Sequence, residues 1–100
     1  MGSGNVAVLT MVQPLCKAEK LDRKAYMCKL LAYDSKQAVI KLLLQEAQLQ
    51  EVSLDALYQC QVQAKEQVVR CVGRIQERYR SNEGPIIELQ VKNGFYIDKE

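Results

Sequence analysis

The segment that most constrains this chain runs from Ser53 to Asp98. Within it, Val68, Cys71, Val72, Ile75 and Tyr79 recur at i, i+3, i+4, i+7 and i+11, the stripe of an amphipathic helix over Lys65–Arg80. A shorter capped segment precedes it. Ser53 stands before Leu54-Asp55-Ala56-Leu57 as an N-cap with an acid in the first turn, so a short helix is expected to end near Cys60. After it, Ser81-Asn82-Glu83-Gly84-Pro85 breaks the helical pattern. Asn93-Gly94 then lies between two β-branched and aromatic runs, Ile86–Val91 and Phe95–Asp98, which is the sequence signal of a tight β-hairpin. Helix, helix, hairpin is the expectation for this half.

The first half gives a looser reading. Val6–Val12 is a short strand or an apolar arm, and Pro14 interrupts any helix beginning there. From Leu21 onward, Leu21, Ala25, Cys28 and Ala32 recur at helical spacing. Asp34 or Ser35 caps a further helix whose apolar side holds Ala38, Val39, Leu42, Leu43 and Ala47. The expected fold class is α+β, about four helices and a C-terminal hairpin. Residues 1–34 form an N-terminal extension and residues 35–100 the main domain.

Composition narrows the function classes. One hundred residues, 48% of them hydrophobic, suffice for one small core. A net charge of +2 does not by itself announce nucleic acid. No apolar run approaches the ~20 residues of a transmembrane helix, and the apolar start lacks the basic region of a signal peptide. A cytoplasmic chain with no membrane partner is therefore expected. Cys28, Cys60 and Cys71 stand at apolar positions, so the four cysteines (Cys16 included) read as buried free thiols rather than disulfides or a metal site. There is no histidine for acid–base work or zinc, no glycine-rich phosphate loop and no nucleophile elbow. The reading is non-enzymatic, with no catalytic residues, no metal and no cofactor.

Helix, helix and hairpin together resemble a winged helix, and residues 39–98 resemble one family in particular. Val52-Ser53-Leu54-Asp55-Ala56-Leu57 is similar to the second helix of the N-terminal winged-helix domain of segregation and condensation protein B. Val68-x-x-Cys71-Val72-x-x-Ile75-x-x-x-Tyr79 resembles that domain's third helix, and Ile86–Tyr96 its wing, with Val91, Gly94 and Phe95 in register. The resemblance implies homodimerisation, a grip on the kleisin subunit of the bacterial Smc condensin complex, and a nucleoid-associated role in chromosome condensation and segregation.

Two partner classes follow. As an adapter, the chain is expected to use apolar residues of the N-terminal extension, and Val6, Leu9, Leu30, Leu31 and Tyr33 are the candidate interface residues. As a DNA-binding transcription regulator, it would use the basic side of the Lys65–Arg80 segment, which holds five basic and two acidic residues. Gln67, Arg70 and Arg74 would face the major groove, with Lys92 at the wing tip reaching a phosphate. DNA is then a partner either directly or through the complex.

Overall fold

The computed structural model describes residues 4–17 and 20–98, with side chains described through residue 93. Six strands account for most of them: β1 Val6–Pro14, β2 Ala25–Asp34, β3 Val39–Leu44, β4 Ala56–Ala64, β5 Gln67–Ser81 and β6 Gly84–Asp98. The sheet closes in the order β1-β2-β3-β6-β5-β4, with β4 pairing back onto β1, and every pairing is antiparallel. A single 3₁₀ turn, Leu49–Glu51, is the only helical element among the described residues.

This overturns the α+β winged-helix expectation. It also overturns the resemblance to segregation and condensation protein B, which needs helices where this chain has strands. The physical reason is visible along β5. Cys71, Gly73 and Ile75 are buried while Val72, Arg74 and Gln76 lie on the other side, a period of two and not of 3.6. An i, i+4 spacing satisfies both periods, so Cys71 and Ile75 could not discriminate between them. Val68 and Val72 could: in a helix they join the stripe, but here they point outward. The local chemistry agrees with the strand, since Val68, Val69, Val72 and Ile75 are β-branched.

The remaining expected helices fail for the same reason. Tyr26, Cys28 and Leu30 face inward from β2, and Val39, Ile40, Leu42 and Leu44 are buried on β3. Ala56, Tyr58, Cys60 and Val62 alternate without exception with Leu57, Gln59, Gln61 and Gln63 on β4. The expected Asn93-Gly94 hairpin is absent as well, because both residues fall inside β6. Around them β6 carries extra residues relative to β5, since Gly73 pairs with Val91, Val72 with Asn93 and Arg70 with Tyr96. The pair therefore marks irregular, bulged pairing rather than a turn. The two-residue turns lie elsewhere, at Lys65–Glu66 between β4 and β5 and at Asn82–Glu83 between β5 and β6.

Residues 6–34, read in sequence as an extension, supply two adjacent staves of the barrel. Leu9, Leu30, Ile40, Leu42, Tyr58, Cys60, Val62, Cys71, Ile75, Ile87 and Leu89 belong to one buried cluster that fills the interior. A small antiparallel barrel of this strand number is just wide enough for its own side chains to fill. β6 approaches β5 most closely at Gly73, where a Cβ would stand 2.3 Å from the Gln90 carbonyl oxygen. Glycine is required there for space, not for its backbone angles.

The segment between β3 and β4 folds over one end of the barrel and buries Val52 completely. Arg78 Nη1 donates to the Val52 carbonyl and, at 3.2 Å, to that of Leu49. The Ser53 amide donates to the Tyr58 hydroxyl at 2.9 Å. Tyr26 presents its hydroxyl to the Asp22 carboxylate and the Glu51 carbonyl, and burial followed by the Asp22 contact raises its pKa. Glu51 accepts from the Gln48 amide at 2.7 Å and pairs with Lys24 at 2.8 Å. These two contacts, the amide first, lower its pKa.

Two outcomes are expected. Gly73→Ala should cost about 3 kcal/mol in urea unfolding, because the clash is with backbone that cannot swing aside; an unchanged midpoint would place β6 elsewhere. For Glu51, a folded pKa below the unfolded value of about 4.3 means that its contribution is complete above that value. The contribution is lost as pH falls through the lowered folded pKa. Glu51→Gln should therefore flatten the acid limb of a stability–pH curve and leave its slope near neutrality unaltered.

Candidate interaction face

Because alternate residues of each strand fill the interior, the other half of each strand forms the outer surface. On β1, β4 and β5 the registers fix which outer residues are neighbours. Val6, Gln63 and Val68 share one row, since Ala7 pairs with Val62 and Gln63 with Val68. Val8, Gln61 and Arg70 form the next row, and Thr10, Gln59 and Val72 the third. Met27 of β2 extends the middle row and Lys29 the first. Val6 is 47% exposed and Met27 42%. A shallow open groove of about 350 Å³ runs between Val6, Val8, Gln61, Gln63 and Val68.

The composition of these three rows is unusual for the outside of a small barrel. On β1, β4 and β5 they contain five apolar or hydroxyl side chains, three amides, one arginine and no carboxylate. Solvated faces elsewhere on the barrel mix charges of both signs. Lys41 pairs in register with Glu88, and Glu88 accepts from the Tyr79 hydroxyl at 2.7 Å and the Gln76 amide at 3.1 Å. That contact is the main reason the Tyr79 pKa is raised.

A second depression, about 410 Å³, is lined by Leu54, Asp55, Arg74, Ile75, Gln76, Gln90 and Lys92. It is richer in donors, but Arg74, Gln76 and Gln90 among them are engaged. Arg74 donates to the Leu54 carbonyl at 3.0 Å and to the Asp55 carboxylate at 3.2 Å. Gln90 donates to the Gln37 carbonyl at 2.8 Å, and Gln76 to Glu88. These contacts tie the β3–β4 segment and the β2–β3 turn to the wall. They serve the fold.

The residues singled out in the sequence scatter over this architecture. Of the candidate interface set, Val6 lies on the outer face, while Leu9 and Leu30 point into the core at 0% and 1% exposure. Leu31 is half-buried at the β2 irregularity, and Tyr33 is exposed near the end of β2. Of the DNA set, Gln67 opens β5 beside the turn, Arg70 lies within the outer face, Arg74 is paired with Asp55 and Lys92 stands in the bulged part of β6. Val6 and Arg70 are brought to one face; the others are not. The arginines at 70, 74 and 78 do not form a recognition surface, because Arg78 is committed to the Val52 and Leu49 carbonyls. With no α-helix among the described residues to enter a groove, the winged-helix transcription-regulator reading is overturned. The condensin adapter and chromosome-segregation reading falls on the same ground.

The sequence reading missed Val8, Gln59, Gln61, Gln63, Val68 and Val72. The signal was present in Tyr58-Gln59-Cys60-Gln61-Val62-Gln63, where amides occupy every second position. Comparison with known protein families, curated proteins and solved structures finds no match to this chain.

Proposed function

We propose that this chain is a non-enzymatic β-barrel module that pairs with a second copy of itself through the outer face of β1, β4 and β5. The observation that carries the reading is the carboxylate-free valine–glutamine surface, with Val6 47% exposed at its margin. Exposed contiguous apolar surface on a soluble domain marks a contact site.

A second copy is favoured as the occupant by the symmetry of the three rows. Most oligomers of identical chains are two-fold, and in such a contact each residue meets its symmetry mate's partner reciprocally. An axis running along β4 in the plane of contact lays the β1 of each copy over the β5 of the other. Val6 then meets Val68, Thr10 meets Val72, and Val8 covers the stem of Arg70. Gln59, Gln61 and Gln63 each meet their own counterpart. A primary amide both donates and accepts, so it can pair with itself without an opposite charge. The two Arg70 side chains fall on opposite sides of the axis. Because the barrel is closed, the contact is made by side chains and does not extend a sheet.

The contact follows one stripe of a convex surface, so a dimer on the order of micromolar affinity is expected, at the weak end of specific interfaces. Sedimentation across a concentration series should show monomer giving way to dimer. A species that stays monomeric to the highest soluble concentration would sink the proposal. The geometry has a sharper test. Gln61→Lys should weaken self-association at least tenfold by facing its own charge, and Gln61→Glu should do the same. Mixing the two variants should restore a heterodimer. If the mixture stays as weak as its components, Gln61 is not on the axis.

A further inference from the structure

Three of the four cysteines lie inside the barrel, and two of them share a rung. Cys60 on β4 and Cys71 on β5 are direct Cα partners, and both are at 0% exposure. Opposed residues in an antiparallel ladder have Cα atoms about 4.5 or 5.5 Å apart, according to the type of pair. Either value falls within the roughly 4.4–6.8 Å that a disulfide spans. Both side chains point to the same side of the sheet, and each thiol is the first cause of the other's pKa shift. Cys28 lies across β1, opposite Ala7, so it has no place on this rung.

We propose that Cys60 and Cys71 are a redox-modification site that closes reversibly to a cross-strand disulfide, stapling β4 to β5. The two strands are joined by the two-residue turn at Lys65–Glu66, so the pair is assembled by a local hairpin and does not wait for the barrel to close. The neighbouring Cys60 holds the Cys71 pKa below its ordinary value, whereas Cys60 itself is raised by Cys71 and by burial. Within this proposal Cys71 attacks first and Cys60 resolves.

The oxidant is a low-molecular-weight disulfide, R′–S–S–R′. The Cys71 thiolate attacks one of its sulfurs, forming a mixed disulfide and releasing the first R′–S⁻. Cys60 then attacks Cys71 Sγ, the mixed disulfide breaks, and the second R′–S⁻ leaves. The two thiol protons end on the two released R′–SH molecules. The protein loses two electrons and the oxidant gains them.

The test uses the full chain with Cys16→Ser, which removes the exposed thiol and leaves the core untouched. It is incubated with oxidised glutathione, once under native conditions and once in urea near the unfolding midpoint followed by refolding. Intact mass and a non-reducing digest are then read. The expected result is a loss of two hydrogens with no retained glutathione, a Cys60–Cys71 linked peptide, full reversal by dithiothreitol and a thermal midpoint raised by several degrees. A linked peptide through Cys28, a persistent glutathione adduct on Cys71, or unlinked thiols in both arms would each overturn the proposal.

Discussion

The ladder between β1 and β4 is the constraint on which the rest of this structure depends. Seven Cα pairs, from Ala7–Val62 to Pro14–Ala56, turn a six-stranded sheet of order β1-β2-β3-β6-β5-β4 into a closed barrel. Without them β1 and β4 would each present an open edge, and the side chains of Leu9, Tyr58, Cys60 and Val62 would lie on the exposed concave side of a sheet. With them, those four residues are fully buried. Closure thus creates inside and outside at once. It also makes the first third of the chain inseparable from the middle, since β1 supplies the stave that β4 needs.

Closure explains why the ends and the outer wall carry the chain's polar chemistry. Among the described residues no polar or charged residue is buried. The hydroxyls of Tyr26 and Tyr58 reach the end of the barrel, where the β3–β4 segment offers the Glu51 carbonyl and the Ser53 amide. Arg78 completes that closure from β5 by taking two carbonyls of the same segment. A buried tyrosine needs a partner for its hydroxyl, and a loop folded over an apolar end needs acceptors for its amides and donors for its carbonyls. Each requirement answers the other. The same pairing accounts for an arginine that the sequence presented as a basic stripe.

How much of this was legible depends on the periods involved. The strand β4 was readable: amides at 59, 61 and 63 alternate with Tyr58, Cys60 and Val62, a pattern that no helix produces. It was obscured because Ser53 and Asp55 imitate a helix start. In the structure the Ser53 hydroxyl does accept from the Asp55 amide, at 2.9 Å, but as a turn preceding a strand. On β5 the helical stripe was a coincidence of fours, and the contrary evidence was Gly73, a poor residue for a helix centre. Asn93-Gly94 carried a turn signal that the long β5–β6 ladder overrode, since pairing on both sides of it outweighs a local preference. The bulge residues and the closing partner of β1 were beyond the reach of local pattern, because both are set by pairings distant in sequence. The candidate face was hidden for that reason too: its three rows exist only once the registers are known.

A strand's inner and outer positions answer to different demands, and that separation makes the outer composition informative. The core fixes Cys60 and Val62 by volume; it places no constraint on Gln59, Gln61 or Gln63. Lysine or glutamate there would satisfy the barrel equally well and would aid solubility. The flanking strands could likewise carry charge at Val6, Val8, Val68 and Val72, where valine leaves apolar surface in water. Seven outer positions on three neighbouring staves therefore decline a charge that the fold would permit, and the mixed pairs around Lys41 and Glu88 show that this chain does charge its wall elsewhere. β-Branched residues do favour strands, which accounts for one or two valines. Strand propensity does not account for the amides, because glutamine has no such preference. A contact that buries this face accounts for both, since valine supplies apolar area and the amide supplies a hydrogen bond that needs no opposite charge.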